Sequence, residues 1–173
     1  PPADQTVTCT NIPTSAPDLD YTNNENGSCL VTGTVAPTQS GNADICGGTI
    51  SYTWTFTDIC NNTITHVQNY TVDPAPPATF VENLPPDITV NCDNIPNIPS
   101  PLQYTNNENG ACTLAGFAAA SQSGSYDECG GSIVFFWQFT DACGRTISHT
   151  QTVTVDPAPP AAFSNPPNAT TLD

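Results

Sequence analysis

Residues Cys46 to Cys60 read CGGTISYTWTFTDIC, and Cys129 to Cys143 read CGGSIVFFWQFTDAC. In the first stretch Ile50, Tyr52, Trp54 and Phe56 alternate without a break with Thr49, Ser51, Thr53, Thr55 and Thr57. A period of two in aromatic and β-branched residues marks a strand with one face in a core and the other in water. Paired glycines before the run and an Asp-X-Cys turn after it set its ends. Everything else in the chain takes its place relative to this strand, its tryptophan and its two cysteines.

The stretch is duplicated because the whole chain is. Cys9, Cys29, Cys46 and Cys60 recur as Cys92, Cys112, Cys129 and Cys143, each shifted by 83 residues. The same shift carries Tyr21-Thr-Asn-Asn-Glu-Asn-Gly27 onto Tyr104–Gly110, Trp54 onto Trp137, and Asp73-Pro-Ala-Pro-Pro77 onto Asp156–Pro160. A little over half of the aligned positions are identical. Asn165-Pro-Pro-Asn-Ala-Thr170 then restarts the pattern of Asn83–Thr89. The organisation expected is repeat one over residues 1–80, repeat two over 81–163, and the start of a third over 164–173.

Each copy opens on a Pro-led strand (Asp4 to Cys9, Asp87 to Cys92). A proline-rich crossing follows (Asn11 to Asp20, Asn94 to Gln103) that can be neither helix nor central strand. Asn-Asn-Glu-Asn-Gly makes a turn, and Cys29–Ala36 or Cys112–Ala119 a further strand. The polar passages Gln39–Gly41 and Gln122–Gly124 are expected as loops, and Thr63–Val72 and Thr146–Val155 as last strands. No 3.6-residue apolar period is sustained anywhere. The class is therefore all-β, with two tandem immunoglobulin-like β-sandwich domains. The connector Asp73–Ala78 is proline-rich enough to act as a semi-rigid spacer, so a rod is expected.

Composition narrows the setting. Sixteen acidic residues face a single basic one, Arg145, for a formal net charge of -15. Such a chain repels nucleic acid and anionic membranes, both of which require Lys and Arg. Eight cysteines without a CxxC pair indicate disulfides and an oxidising, extracellular compartment. No apolar run is long enough to cross a membrane as a helix. With neither methionine nor a signal peptide, the chain reads as an internal stretch of a longer exported protein.

Four cysteines per repeat allow three pairings. Cys46 and Cys60 lie at opposite ends of one strand, roughly 40 Å apart if extended, which disfavours the pattern Cys9–Cys29 with Cys46–Cys60. If successive segments alternate in direction, Cys9 and Cys46 share one end of the domain and Cys29 and Cys60 the other. The expected bridges are therefore Cys9–Cys46 and Cys29–Cys60, and by translation Cys92–Cys129 and Cys112–Cys143.

The opening PPDITVNC (Pro85 to Cys92) and the closing FWQFTDACGRTISHTQTVTV (Phe136 to Val155) resemble hyalin-type (HYR-like) repeats of immunoglobulin fold. Tandem arrays of such modules occur in very large surface adhesins of Bacteroidota, similar to the gliding-motility adhesin SprB. The resemblance implies a β-sandwich, export by the type IX secretion route, and a role in adhesion or gliding at the cell surface. One departure is that related repeats often place a cysteine where this chain has His66 and His149.

No Ser–His–Asp or Cys–His grouping suggests itself, so no enzyme is expected. His66 and His149 share the apolar face of the last strand and read as structural. Zinc would need reduced thiols and closer ligand spacing. Calcium is the stronger alternative, because Asp44, Asp58 and Asp73 recur at Asp127, Asp141 and Asp156. Against it, no D-x-D-x-D loop is present, and Asp58 and Asp141 are equally suited to capping the next turn. No cofactor is therefore expected. On the outer face Ser51 and Thr53 become Val134 and Phe136, near Tyr126, and an apolar patch there is either covered by a loop, the reading preferred, or a contact site. The N-x-S/T matches at Asn26, Asn61 and Asn168 are not shared between copies.

Two functions fit. The first is a stalk or spacer module of a giant adhesin, whose partners are neighbouring repeats of the same chain. The second is a ligand-binding module, for surface polysaccharide or a substratum. Trp54 and Trp137 have core parity, which withholds them from sugar stacking and favours the stalk.

Overall fold

A computed structural model of the chain describes residues 1–164. The expected start of a third copy, from Asn165 onward, and the Asn168 sequon lie outside the described residues. In repeat one the strands are β1 (Gln5–Thr8), β2 (Leu19–Thr22), β3 (Thr32–Val35), β4 (Thr38–Asp44), β5 (Gly47–Thr57) and β6 (Thr63–Asp73). A short β7 (Thr79–Phe80) lies in the linker. Repeat two supplies β8 (Ile88–Asn91), β9 (Leu102–Thr105), β10 (Ala115–Ala118), β11 (Ala120–Asp127), β12 (Gly130–Thr140) and β13 (Thr146–Asp156). Helical structure among the described residues is confined to three single 3-10 turns. The protein is an all-β sandwich protein.

The organising strand is central in both copies. One sheet has the order β1-β6-β5-β4 and its counterpart β11-β12-β13-β8; the other two sheets are β2-β3 and β10-β9-β7. β5 pairs antiparallel with β6 along its full length, Gly48 opposite Val72 and Thr57 opposite Thr63. β1 runs parallel to β6, with Thr8 opposite Asp73. Ile50, Tyr52 and Trp54 turn inward together, packed by Ile12, Ala16, Leu19 and Val35. Trp54 and Trp137 are 2% and 0% exposed.

The proline-rich segments have a specific role in this core. Proline carries a carbonyl acceptor and no N–H, so it cannot close a ladder by itself. The inward strands supply the missing donors. Trp54 Nε1 donates to the Pro17 carbonyl at 3.0 Å and the Tyr52 hydroxyl to that of Pro13 at 3.2 Å. In repeat two Trp137 Nε1 donates to the Ser100 carbonyl at 3.2 Å. At the N-terminal segment Gln68 Nε2 donates to the Ala3 carbonyl and His66 Nε2 bonds that of Pro2, both at 2.7 Å. Gln151 and His149 do the same with Pro86 and Pro85. Both histidines are thus structural clasps, each 5.6 Å from its tryptophan ring.

Several local expectations change. Gln39–Gly41 and Gln122–Gly124 are not loops but lie within β4 and β11, paired along the edge of β5 and β12. Their polar sequence hides a strand because it has no apolar face, and Gly41 (φ 83°) sits where a side chain would strike the Thr49 carbonyl. Cys29 and Cys112 close 3-10 turns ahead of strands that begin only at Thr32 and Ala115. Gly33 lies under the Tyr21 ring, whose hydroxyl would meet an added Cβ at 2.5 Å. Tyr21 thereby stacks on Phe56, centroids 3.8 Å apart, as Tyr104 does on Phe139. Tyr126 does not join Val134 and Phe136 in one outer patch: it is opposite Gly131, five rungs or roughly 17 Å along the strand from Phe136.

Replacing Trp54 or Trp137 with Ala removes both the core ring and the clasp on the crossing segment. The expected loss is about 3–5 kcal/mol in chemical denaturation; a variant melting within a couple of degrees of the parent would contradict the inward assignment.

Candidate functional site: a disulfide clamp on the linker

The cysteines are placed by a repeated local device. An aspartate two residues ahead folds back as an Asx turn and accepts the cysteine's backbone N–H. Asp44 Oδ1 accepts from Cys46 at 2.7 Å, Asp58 from Cys60 at 2.8 Å, Asp127 from Cys129 at 2.8 Å and Asp141 from Cys143 at 2.9 Å. Four of the six aspartates weighed as calcium ligands are thus cysteine-presenting groups. Asp73 and Asp156 end the last strands, opposite Thr8 and Asn91. Among the described residues, no three His, Cys, Asp or Glu side chains gather as a metal site would require.

A second device presents Cys29 and Cys112. Asn23 Nδ2 donates to the Cys29 carbonyl at 2.8 Å while its Oδ1 accepts from Glu25 and Val31. Asn106 repeats this on Cys112, Glu108 and Leu114. Asn24 and Asn107 take positive φ (62° and 60°), which Asn tolerates better than most residues. The Asn-Asn-Glu-Asn-Gly stretch is a cysteine-holding loop.

The bridges that form are not those expected from the sequence. Cys9 bonds Cys112 and Cys46 bonds Cys143, with Cα separations of 5.6 and 5.3 Å. Cys29, Cys60, Cys92 and Cys129 are free. The pairings Cys9–Cys46, Cys29–Cys60, Cys92–Cys129 and Cys112–Cys143 are therefore replaced. The reasoning about ends was sound in part: Cys9 follows Thr8, opposite Asp73, and Cys46 follows the turn opposite Val72. Both stand at the end where the chain leaves the repeat. Their partners there belong to the next repeat.

One compact unit contains this junction whole: Pro1–Val81 together with Gln103–Phe117 and Phe139–Ile147. The other comprises Glu82–Leu102, Ala118–Gln138 and the chain from Ser148 onward. Inside the first unit the linker is held on every side. Ala75 N donates to the Ile45 carbonyl at 2.9 Å, and Asn106 Nδ2 to the Pro76 carbonyl at 3.2 Å. Arg145 Nη1 donates to the Ala75 carbonyl while its Nε grips Asp141 Oδ2 at 2.7 Å. The lone cation of the chain is spent on this joint. β7 then adds to the edge of β9, Thr79 opposite Thr105 and Phe80 opposite Tyr104. Cys9, Val72, Ala75 and Cys112 make one buried cluster beneath the bridges.

Three carboxylates sit below their usual range. Asp58 is lowered chiefly by the Asn62 side chain and then by its backbone N–H. Asp4 is lowered by the Asn69 N–H and side chain. At Asp141, burial pushes upward but is outweighed by hydrogen bonds from Arg145 and its charge. The nearest cavities are shallow grooves. One of about 390 Å³ flanks Cys9 and Cys112, and none holds a grouping for acid–base or nucleophilic chemistry among the described residues.

A family model described as the HYR-like domain with 4 cysteines matches residues 1–72. Repeat one is thus similar to that family, as the resemblance at the ends of each repeat implies, and repeat two shares its four cysteine positions at a shift of 83. The match points to an extracellular adhesion-type repeat module of a non-catalytic family. Disulfides fit that location, and no helix among the described residues is long and apolar enough to cross a membrane. A search of curated proteins gives no match.

Two outcomes follow. Removing the Cys46–Cys143 bridge by a double serine substitution releases a loop of sequence separation 97, with an expected loss of about 2–5 kcal/mol in denaturant unfolding. Removing the exposed, free Cys29 and Cys60 costs under about 0.5 kcal/mol, and equal losses would contradict the assignment. Separately, Asp58 has a depressed folded pKa, so its stabilisation is present above the unfolded value and lost as pH falls through the folded one. Asp58→Asn is therefore less stable than wild type at pH 7, and the two converge at pH below the ordinary 3.8. A deficit that persisted undiminished at pH 2 would overturn this.

Proposed function

We propose that the chain is a tension-bearing stalk segment of a large cell-surface adhesin, with adhesion or gliding as the task of the whole protein and type IX secretion as its route. The observation that carries the reading is the Cys46–Cys143 bridge. It joins the start of β5 to the turn after β12. A covalent path then runs from Cys60 back along β5, across the bridge, and back along β12 to Cys129. Each cysteine-to-cysteine run, strand and turn together, contributes 14 residue steps.

Eleven residues of each run, Gly47–Thr57 and Gly130–Thr140, are already in β geometry, and extended chain has almost no slack. The two runs together reach roughly 100 Å when taut. The backbone route between the same two residues has 69 steps and reaches roughly 240 Å. Force applied along the bridged path therefore meets covalent bonds before it can unravel the core. Such a segment suits a spacer that must keep its length under load. A polysaccharide-binding role is less well supported, since both tryptophans are buried.

The free thiols Cys60 and Cys129 offer attachment points for single-molecule pulling, in a chain with Cys29→Ser and Cys92→Ser. The oxidised chain should stop near 100 Å and lengthen toward 240 Å only after reduction. An oxidised chain that extends to the full backbone length would refute the reading, and selective capture on a glycan array would favour the binding alternative.

A further inference from the structure

The four free cysteines are translational copies of the four bonded ones. Cys29 and Cys60 correspond to Cys112 and Cys143, and Cys92 and Cys129 correspond to Cys9 and Cys46. Exposure differs for one of the two pairs: Cys9 and Cys112 are 5% and 1% exposed, whereas their copies Cys92 and Cys29 are half-buried and exposed; Cys46, like its copy Cys129, is exposed even when bonded. Three of the four are presented as their bonded copies are. Asp58 and Asn23 hold Cys60 and Cys29 as Asp141 and Asn106 hold theirs. Asp127 holds Cys129, and Ala158 N donates to the Glu128 carbonyl at 2.9 Å as Ala75 does to Ile45.

The surface around Cys29 and Cys60 also lacks what its counterpart has. β2 pairs only with β3, whereas its equivalent β9 also receives β7 from the preceding linker. A groove of about 300 Å³ runs between the end of β2 (Tyr21, Thr22 and the following Asn23) and the β5–β6 turn that carries Cys60 (Phe56, Asp58 and Asn62). The equivalents of the first three, Tyr104, Thr105 and Asn106, are the residues against Phe80, Thr79 and Pro76.

We propose that Cys29 and Cys60, with the open β2 edge, form a socket for the exit end of another repeat of this kind, and that Cys92 and Cys129 are the matching plug. The occupant is a Pro-rich linker with a Thr-Phe strand, flanked by two thiols, as residues 73–81 are flanked by Cys9 and Cys46. Every cysteine then bonds a neighbouring repeat and none its own. The joint is heterologous and does not close on itself, so it propagates. Each bond forms by thiol–disulfide exchange with a small disulfide such as oxidised glutathione. One protein thiolate displaces one glutathione, the second thiolate displaces the other, and two reduced glutathiones leave.

The rule can be tested between separate copies of the chain, independently of the mechanical reading. A plug-only variant carries Cys29→Ser and Cys60→Ser, and a socket-only variant Cys92→Ser and Cys129→Ser. In a glutathione redox buffer each should stay monomeric alone, while the mixture yields a covalent dimer on a non-reducing gel. Peptide mapping should find Cys92–Cys29 and Cys129–Cys60, with the bridges inside each chain intact. Absence of a dimer in the mixture, dimers from either variant alone, or crossed Cys92–Cys60 links would overturn the proposal.

Discussion

The structure depends on a linker that cannot hold itself. Pro74, Pro76 and Pro77 remove three N–H donors from the segment joining the repeats, so it can neither coil into a helix nor join a ladder over its length. Its carbonyls are instead taken by Asn106 and Arg145, and its flanks by the Cys9–Cys112 and Cys46–Cys143 bridges. The same shortage of donors recurs inside each domain, where Trp, Tyr, Gln and His side chains reach to proline-rich backbone. Proline-rich backbone held by side-chain donors is the common design of core and joint.

A small β-domain buries too little surface to be generously stable, and staples compensate. Here the staples reach across the linker rather than within one repeat. Bridges closing loops of about 100 residues remove more unfolded-state freedom than short internal ones would, although the gain rises only logarithmically. The consequence is mechanical as much as thermodynamic. β5 and β12, the best-packed strands, are also consecutive stretches of one covalent path.

The alternation of Ile50, Tyr52, Trp54 and Phe56 made the central strand and the all-β class readable from sequence, because period two has one physical reading. β4 was not readable, since Thr38–Asp44 lacks an apolar face and is a strand only through its partner β5. β7 is two residues long and is likewise defined by β9. The ends on which the cysteines lie followed from strand direction, but their partners did not. A translational repeat makes a bond to one's own repeat and a bond to the next look alike, because both join the same types of position. Arg145 was visible as the only basic residue, yet its role needed the Ala75 carbonyl to be placed beside it. The repeated Asp-X-Cys spacing could have separated cysteine presentation from calcium binding, since an Asx turn requires that spacing and a calcium site does not.

The central claim is that the bridges join one repeat to the next. Proteolysis of the oxidised chain, with its free thiols first blocked by alkylation, followed by mass spectrometry of the unreduced peptides, tests it directly. The account predicts peptides linking Cys9 to Cys112 and Cys46 to Cys143, with alkyl groups on Cys29, Cys60, Cys92 and Cys129. Peptides linking Cys9 to Cys46 or Cys112 to Cys143 would contradict it.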